Sequence, residues 1–317
     1  MKNKQNQFLI ILAIFLAICC VGYYFVSKSK QYPEANLQAT PIVTDNQSTT
    51  LDWSREYRVM AHAMGGIDNH DYTNSLEAFE YNYGQGTRLF EIDLETTLEG
   101  DICLAHTWED FRTKLTNIGG DIKEPLSNEE FKNAKIYDKY TPLFFKEVLE
   151  IMQEKQDFYL IIDSKMFDVE GTRIVYDKLM EVVNEVDPEL ITRIIPQAYN
   201  PEIIDVLQQE YEFPEIIYTL YSIYDKSNGE EIYKTVKEKG IRVVVMHMDN
   251  DWAEKVIQGV VAYAINDNDN RGQFNVYIHT VNDTDKAREI VNDYHFFGIY
   301  SDFITENQFN KDILINK

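Results

Sequence analysis

From about residue 53 onward, short apolar runs alternate with amphipathic stretches along the chain. The apolar runs have the length and composition of buried strands, and the amphipathic stretches repeat their apolar positions at helical spacing. Strands are predicted at residues 59–62, 88–95, 158–163, 193–197, 215–220, 241–246, 275–279 and 296–300. Helices are predicted to start near residue 75 and to cover 142–153, 171–186, 201–209, 229–239, 252–263 and 283–294.

This order of elements favours an α/β fold with parallel strands, because a helix between consecutive strands carries the chain back across the sheet. Eight strands with intervening helices predict a TIM (β/α)₈ barrel. A doubly wound open sheet would alternate in the same way. No glycine-rich phosphate loop follows the first strand, however, so the barrel is the preferred interpretation.

The N-terminal part of the chain has a different pattern. Residues 8–26 are mostly apolar and uncharged, which is long enough for a helix that spans a bilayer. We therefore predict a cytoplasmic tip and transmembrane anchor at residues 1–28, a flexible linker at 29–52 and the barrel at 53–317. This predicts a single-pass protein of the cell membrane with its barrel extracytoplasmic. A cleaved signal peptide and a lipoprotein are the alternatives.

Charge limits the possible partners of the 317-residue chain. It carries 53 acidic and 30 basic residues, a formal net charge of -23. Because phosphate backbones are bound by basic surfaces, nucleic acid is not an expected partner. An anionic small molecule remains possible, since a bound cation can dominate the local field. The three cysteines predict neither a disulfide framework nor a zinc site.

Candidate catalytic residues lie at or just beyond the predicted strand ends, where barrel active sites form. Glu91 and Asp93 are two apart on one strand and should share a face. Two buried acids need a compensating cation, and hard divalent ions prefer carboxylate oxygens. An edge strand with a solvated acidic face is the alternative. The further candidates are His62, His106, Asp163 and Lys165.

The same residues occur in a longer ordered set of motifs. Ala61-His62 is followed by Asn74-Ser75, then by Glu91-Ile92-Asp93 and His106, and later by Asp163-Ser164-Lys165. Thr280-Val281-Asn282 and the run from Gly298 to Phe303 close the set. In order and spacing these motifs resemble the glycerophosphodiester phosphodiesterase family, part of the phosphatidylinositol-phospholipase-C-like superfamily. The resemblance covers residues 58–303.

The resemblance implies a metal-dependent phosphodiester hydrolase. Glu91, Asp93 and Asp163 would hold one divalent cation, Ca²⁺ or Mg²⁺. His62 and His106 would be general acid and base, and Lys165 would face the phosphate. The expected substrate is a small-molecule or polymer phosphodiester, such as a glycerophosphodiester, a phospholipid headgroup or an envelope glycerol-phosphate polymer. The attacking group is either water or a substrate hydroxyl.

Three positions depart from the family pattern. Ala63-Met64 replaces an arginine that contacts phosphate in the family, Thr73 replaces a glutamate, and Asp163 replaces a longer carboxylate. These departures motivate an alternative hypothesis, in which a catalytically weak barrel binds a polyol phosphate or a partner protein at the cell envelope.

Overall fold

The computed structural model describes residues 52–116, 123–222, 229–247, 274–293 and 296–314. Nine strands form one sheet within these ranges. They are β1 Val59–Ala61, β2 Leu89–Thr96, β3 Ile102–Leu104, β4 Tyr159–Asp163, β5 Ile194–Ala198, β6 Ile217–Thr219, β7 Val243–His247, β8 Asn275–His279 and β9 Gly298–Ser301.

Eight of these strands are parallel and close into a barrel. Strand β1 pairs with β9 on one side, with Met60 opposite Tyr300, and with β2 on the other, with Met60 opposite Leu89. The pairs β2–β4 through β8–β9 complete the circle. The predicted TIM barrel is therefore confirmed, and the open doubly wound sheet is excluded. Strand β3 lies outside the circle and pairs antiparallel with the far end of β2.

Helices follow the strands as the pattern predicted. The α-helices of the described residues are α1 Trp53–Glu56, α2 Leu76–Gly84, α3 Trp108–Thr113, α4 Asn128–Asn133, α5 Phe145–Glu154, α6 Val169–Val186, α7 Pro201–Gln209, α8 Gly229–Lys239, α9 Thr284–Arg288 and α10 Glu306–Gln308. The helix predicted at 283–294 is shorter than expected, because α9 ends at Arg288 and a π-helical turn, Glu289–Asp293, continues the chain. The predicted helix at 252–263 lies outside the described residues.

Alternation along the strands separates two layers of buried side chains. The outer layer faces the helices and includes Phe90 and Ile92 of β2. The inner layer fills the barrel and comprises Trp53, Met60, Leu89, Ile161, Ile195, Ile217, Val243, Val245, Tyr277 and Tyr300. Glu91 and Asp93 continue the inner row that Leu89 begins, so they point into the top of the barrel as predicted.

The segment between β3 and α5 builds a smaller apolar cluster beside the barrel mouth. Trp108, Phe111 and Phe131 pack together there, and the Trp108 indole N–H donates to the carbonyl of Thr96 at 3.2 Å. Cys103 is a buried free cysteine of this cluster, which agrees with a packing role. The cluster fixes the path of the chain that follows His106.

The predicted membrane anchor and nearly all of the linker, residues 1–51, lie outside the described residues. Within the described ranges, no helix combines the length and the apolar character needed to cross a bilayer.

Candidate active site

The first functional segment is a left-handed turn directly after β1. Ala63, Met64 and Gly65 have φ values of 49°, 68° and 83°. A side chain at Gly65 would collide with Asn82, whose amide group donates to the carbonyls of Met64 and Gly66. The turn leaves the His62 side chain at the mouth of the barrel and directs the Ala63 N–H to Glu91 Oε2 at 2.7 Å.

Three carboxylates meet at the C-terminal ends of β2 and β4. Asp93 lies opposite Asp163 in the strand register, and Glu91 precedes Asp93 on the same face. Each of the three side chains offers an oxygen within 4.8 Å of the others. Glu91 and Asp93 are each only 1% exposed. The alternative of a solvated acidic edge strand is therefore wrong.

The electrostatics of this carboxylate cluster favour a bound cation. Burial raises the pKa of Glu91 well above its ordinary value, and the charge of Asp93 adds to the effect. Burial and the charge of Asp93 likewise raise the pKa of Asp163. Three converging carboxylate oxygens in a buried site are the ligands that a hard divalent cation prefers, and such an ion would compensate their charge. The donor set therefore fits one divalent cation.

Lys165 is the cation that contacts the cluster. Its ammonium lies 2.6 Å from Asp93 Oδ1 and 2.7 Å from the carbonyl of His106, and its backbone N–H donates to Asp163 Oδ1 at 3.0 Å. Burial by itself raises the pKa of Asp93, because it disfavours the charged carboxylate. Lys165 and the nearby histidines outweigh this, so the pKa of Asp93 is below its ordinary value. Lys165 thus joins the carboxylate cluster to the segment that carries His106.

His62 is paired with an acid that the sequence interpretation had not assigned to the site. His62 Nδ1 lies 2.8 Å from Asp302 Oδ1, and both side chains are buried. Burial lowers the pKa of His62, but the hydrogen bond to Asp302 and the charges of Glu91, Asp302 and Asp93 raise it to about 9. His62 is therefore protonated at neutral pH.

His106 has the opposite electrostatic character. Its half-buried imidazole has a pKa below the ordinary 6.5, because burial and the charge of Lys165 outweigh the attraction of Asp93. The two histidines are brought together through Tyr72, whose ring centroid lies 4.5 Å from that of His62 and 4.8 Å from that of His106. An imidazolium and a neutral imidazole at the same barrel mouth are the pair that acid–base catalysis needs.

Several polar side chains that hold the candidate residues were missed as site residues. Asn74 donates to Asp93 Oδ2 at 3.0 Å, Asn282 donates to Asp302 Oδ2 at 2.6 Å, and the Tyr199 hydroxyl donates to Asp163. Asn74, Asn282 and Asp302 stand within the motifs described above, and that position was the available signal. For Tyr199, directly after β5, the sequence offers no comparable signal.

His279, the last residue of β8, is a further histidine that the sequence analysis did not assign to the site. Its ring centroid lies 4.6 Å from that of His62 and 4.8 Å from that of His247. Burial and the neighbouring histidines hold the pKa of His279 well below its ordinary value. A neutral imidazole from the end of β8 therefore packs against the His62 ring.

Comparison with known families identifies the family to which this barrel belongs. Residues 65–306 match the model of the glycerophosphoryl diester phosphodiesterase family. The chain belongs to this family. The matched range contains Glu91, Asp93, His106, Asp163 and Lys165 and begins just after His62. The prediction of a glycerophosphodiester phosphodiesterase-like phosphoric diester hydrolase is confirmed.

Solved structures with the same fold are distant in sequence. An Oleispira antarctica phosphodiesterase in complex with the product sn-glycerol-3-phosphate is 18% identical, with a TM-score of 0.59 over 81% of this chain and 96% of the other. A putative glycerophosphoryl diester phosphodiesterase from Silicibacter pomeroyi is 14% identical, with a TM-score of 0.61 over 81% and 93%. The glycerophosphodiester phosphodiesterase of Thermotoga maritima is 18% identical, with a TM-score of 0.58 over 80% and 97%. The comparison with curated proteins found no match.

Proposed function

We propose that this member of the glycerophosphoryl diester phosphodiesterase family hydrolyses glycerophosphodiesters with His62 and His106 as acid and base. The observation that carries the proposal is the arrangement at the barrel mouth. A buried cluster of Glu91, Asp93 and Asp163 lies at the same barrel mouth as His62, which is hydrogen-bonded to Asp302, and as the half-buried His106.

The carboxylate cluster would hold one divalent cation, Ca²⁺ or Mg²⁺. Such an ion neutralises negative charge on the phosphate group of a diester. Its three protein ligands would be Glu91, Asp93 and Asp163, with Asn74 and Tyr199 orienting two of them from behind. Hydrogen-bonded supports of this kind fix the direction of a ligand's oxygens.

The two histidines supply the proton transfers. His106, neutral at physiological pH, takes the proton from the attacking hydroxyl as its oxygen bonds to phosphorus. His62, protonated, gives its proton to the alkoxide oxygen as the opposite P–O bond breaks. The attacking group is water or an adjacent hydroxyl of the glycerol, and the same two histidines serve either route.

Lys165 would contribute positive charge on the phosphate side of the pocket. A lysine ammonium has three donors. Two are directed at Asp93 and at the carbonyl of His106, and the side chain remains 29% exposed. The third donor is available to a phosphate oxygen. Ala63 stands at the position of the family's arginine, so this turn offers the substrate no cationic side chain. The Ala63 N–H donates to Glu91 and is therefore not free to bind the substrate either.

Glycerol phosphate is the expected product class. The Oleispira antarctica phosphodiesterase of the same fold was crystallised with sn-glycerol-3-phosphate as its product. We further propose that residues 8–26 anchor the chain in the cell membrane with the barrel outside. This placement, supported by the apolar N-terminal run, would bring phospholipid headgroups and envelope glycerol-phosphate polymers within reach.

A second candidate function rests on Ala63. Without the arginine, the site could bind a polyol phosphate without turning it over.

The test that separates the two functions is an assay of the full-length chain on a panel of glycerophosphodiesters with Ca²⁺, Mg²⁺ or EDTA. We expect glycerol phosphate to be released with one of the cations and not with EDTA. Cation binding without turnover of any diester would favour the binding function instead.

A further inference from the structure

Tyr72 is the ring that contacts both candidate catalytic histidines. It meets His62 at an interplanar angle of 80° and His106 at 68°, so both contacts are edge-to-face. Aromatic pairs prefer this arrangement over face-to-face stacking. The two imidazoles are therefore placed with respect to each other through one side chain.

The two histidines depend on this ring to different degrees. His62 has a second support, because Asp302 holds its Nδ1. His106 has no comparable support. Within the described part of the chain, Tyr72 is the aromatic ring that contacts it, and no side chain forms a hydrogen bond with its imidazole. The backbone of His106 is fixed by Lys165, but its ring is positioned by Tyr72.

The backbone of Tyr72 is held by a buried lysine. Tyr72 has a φ of 49°, a left-handed conformation that costs energy for a residue with a side chain. Its carbonyl accepts a hydrogen bond of 2.7 Å from Lys114 Nζ, and Asp110 Oδ2 lies 2.5 Å from the same ammonium. The Lys114 side chain is only 6% exposed. A buried ammonium is retained only where its donors are satisfied, and here one of them is directed at Tyr72.

The lysine and the second histidine belong to one continuous segment. Helix α3 begins two residues after His106, with Thr107 as its N-cap, and Lys114 is its C-cap. The short helix packs on the small apolar cluster through Trp108 and Phe111. A rigid element thus carries His106 at one end and the anchor of Tyr72 at the other.

We propose that Tyr72, anchored by Lys114, is a positioning residue that holds the His106 ring in line with His62. The proposal rests on the proposed function, because it assumes that the two histidines act as base and acid. It goes further by assigning a catalytic consequence to a tyrosine and to a lysine of α3. The ring, rather than the phenol, carries the effect.

The experiment compares Tyr72→Phe, Tyr72→Leu and Lys114→Met in the full-length chain. Tyr72→Phe keeps the ring and should retain kcat within about threefold, whereas Tyr72→Leu should lower kcat by about tenfold or more with KM little changed. Lys114→Met should also lower kcat, because it removes the hydrogen bond that holds the Tyr72 backbone. Lys139→Met is the control, because this exposed lysine of the same segment pairs with Asp68 away from the site.

The pH profile separates positioning from a general loss of structure. Asp93, Lys165, Asp110 and Asp163 are the charged groups that face His106, and all remain in Tyr72→Leu. Removal of the ring admits water to His106, so the acidic limb of the kcat profile should move to higher pH while the alkaline limb moves less. A uniform loss at every pH, with a lowered melting temperature, would contradict the proposal.

A readout without turnover distinguishes failure of this inference from failure of the proposed function. The imidazole C–H resonances of His62 and His106 can be assigned with His62→Gln and His106→Gln. We expect the His106 resonance to broaden or split in Tyr72→Leu and Lys114→Met and to stay sharp in Tyr72→Phe. An unchanged His106 resonance in Tyr72→Leu would overturn the proposal even in a chain that hydrolyses no diester. In an active chain, equal losses of kcat in Tyr72→Phe and Tyr72→Leu would also overturn it.

Discussion

Asp302 Oδ1 lies 2.8 Å from His62 Nδ1, although the two residues are 240 positions apart in the chain. Closure of the barrel brings them together, because β9 pairs with β1 and both strands end at the same rim. A carboxylate accepts only, so Nδ1 carries the proton and Nε2 is directed elsewhere. Asn282 in turn binds both the carboxylate and the backbone N–H of Asp302. His62, the candidate general acid, is therefore oriented by hydrogen bonds that run from Asn282 through Asp302.

Asp302→Asn should lower both the turnover and the pH at which His62 titrates. The amide removes the negative charge that favours the imidazolium, so the alkaline limb of the kcat profile should shift to lower pH. We expect kcat to fall by at least about tenfold. Asp285→Asn, at an exposed position on α9, is the matched control. An unchanged alkaline limb in Asp302→Asn would show that His62 does not act through this pair.

The wild-type pH profile should be bell-shaped. His106 has a pKa below 6.5, so its neutral, proton-accepting form is lost only in acid. His62 has a pKa raised to about 9 in the absence of a cation, so its proton is lost in alkali. A bound cation neutralises the charge of Glu91 and Asp93 and therefore moves this alkaline limb below 9. The measurement is kcat from pH 5 to 10 at saturating cation, and a rate still rising through pH 9 would contradict the assignment.

Cation binding should release protons and strengthen as pH rises. The pKa values of Glu91 and Asp163 are raised. Without a cation, a fraction of the molecules therefore carries a proton on one of these two carboxylates, and a binding ion displaces it. A cation at one hundred times its Kd should stabilise the fold by about 2.7 kcal/mol. Calorimetry in buffers of different ionisation enthalpy counts the protons.

The matched variants for this measurement are Glu91→Gln and Glu150→Gln. Glu91→Gln should abolish the cation-dependent rise in melting temperature, whereas Glu150→Gln, at an exposed position on α5, should retain it. Equal stabilisation of both variants would place the ion elsewhere.

Glu306 stabilises the start of β1, at the end of the barrel opposite the carboxylate cluster. Its buried carboxylate accepts the backbone N–H groups of Arg58 and Val59 at 3.0 and 2.9 Å, where β1 begins. Glu306→Ala leaves these donors without an acceptor and should cost about 1–3 kcal/mol in the free energy of unfolding. Urea denaturation measures the change, with Glu150→Ala as the control. Because the site lies at the other rim, cation binding by the folded variant should be retained.

The sequence predicts most of the barrel because strand periodicity is local. The alternation in β2 places Glu91 and Asp93 on the inner face and Phe90 and Ile92 on the outer one, as observed. The antiparallel pairing of β3 was not predicted, since three apolar residues do not specify the direction in which a strand pairs.

The parts of the site that sequence reasoning missed depend on long-range contacts. Asp302 follows a predicted strand end, but its role becomes visible only when β9 and β1 are neighbours. The sequence placed Lys165 among the site residues, but it did not predict that the ammonium contacts both Asp93 and the carbonyl of His106. Lys114 gave no signal, since nothing in its local sequence indicates that its ammonium is buried against Tyr72.

The most direct test of the catalytic assignment is glycerol phosphate release by the full-length chain and by His62→Gln, at saturating cation. We expect the wild type to turn over a glycerophosphodiester and His62→Gln to lose activity by about a hundredfold or more. His70→Gln is the control, because His70 stacks on Tyr137 outside the carboxylate cluster and should leave turnover unchanged. Equal turnover by the wild type and a folded His62→Gln would contradict the assignment of His62 as the acid of this centre.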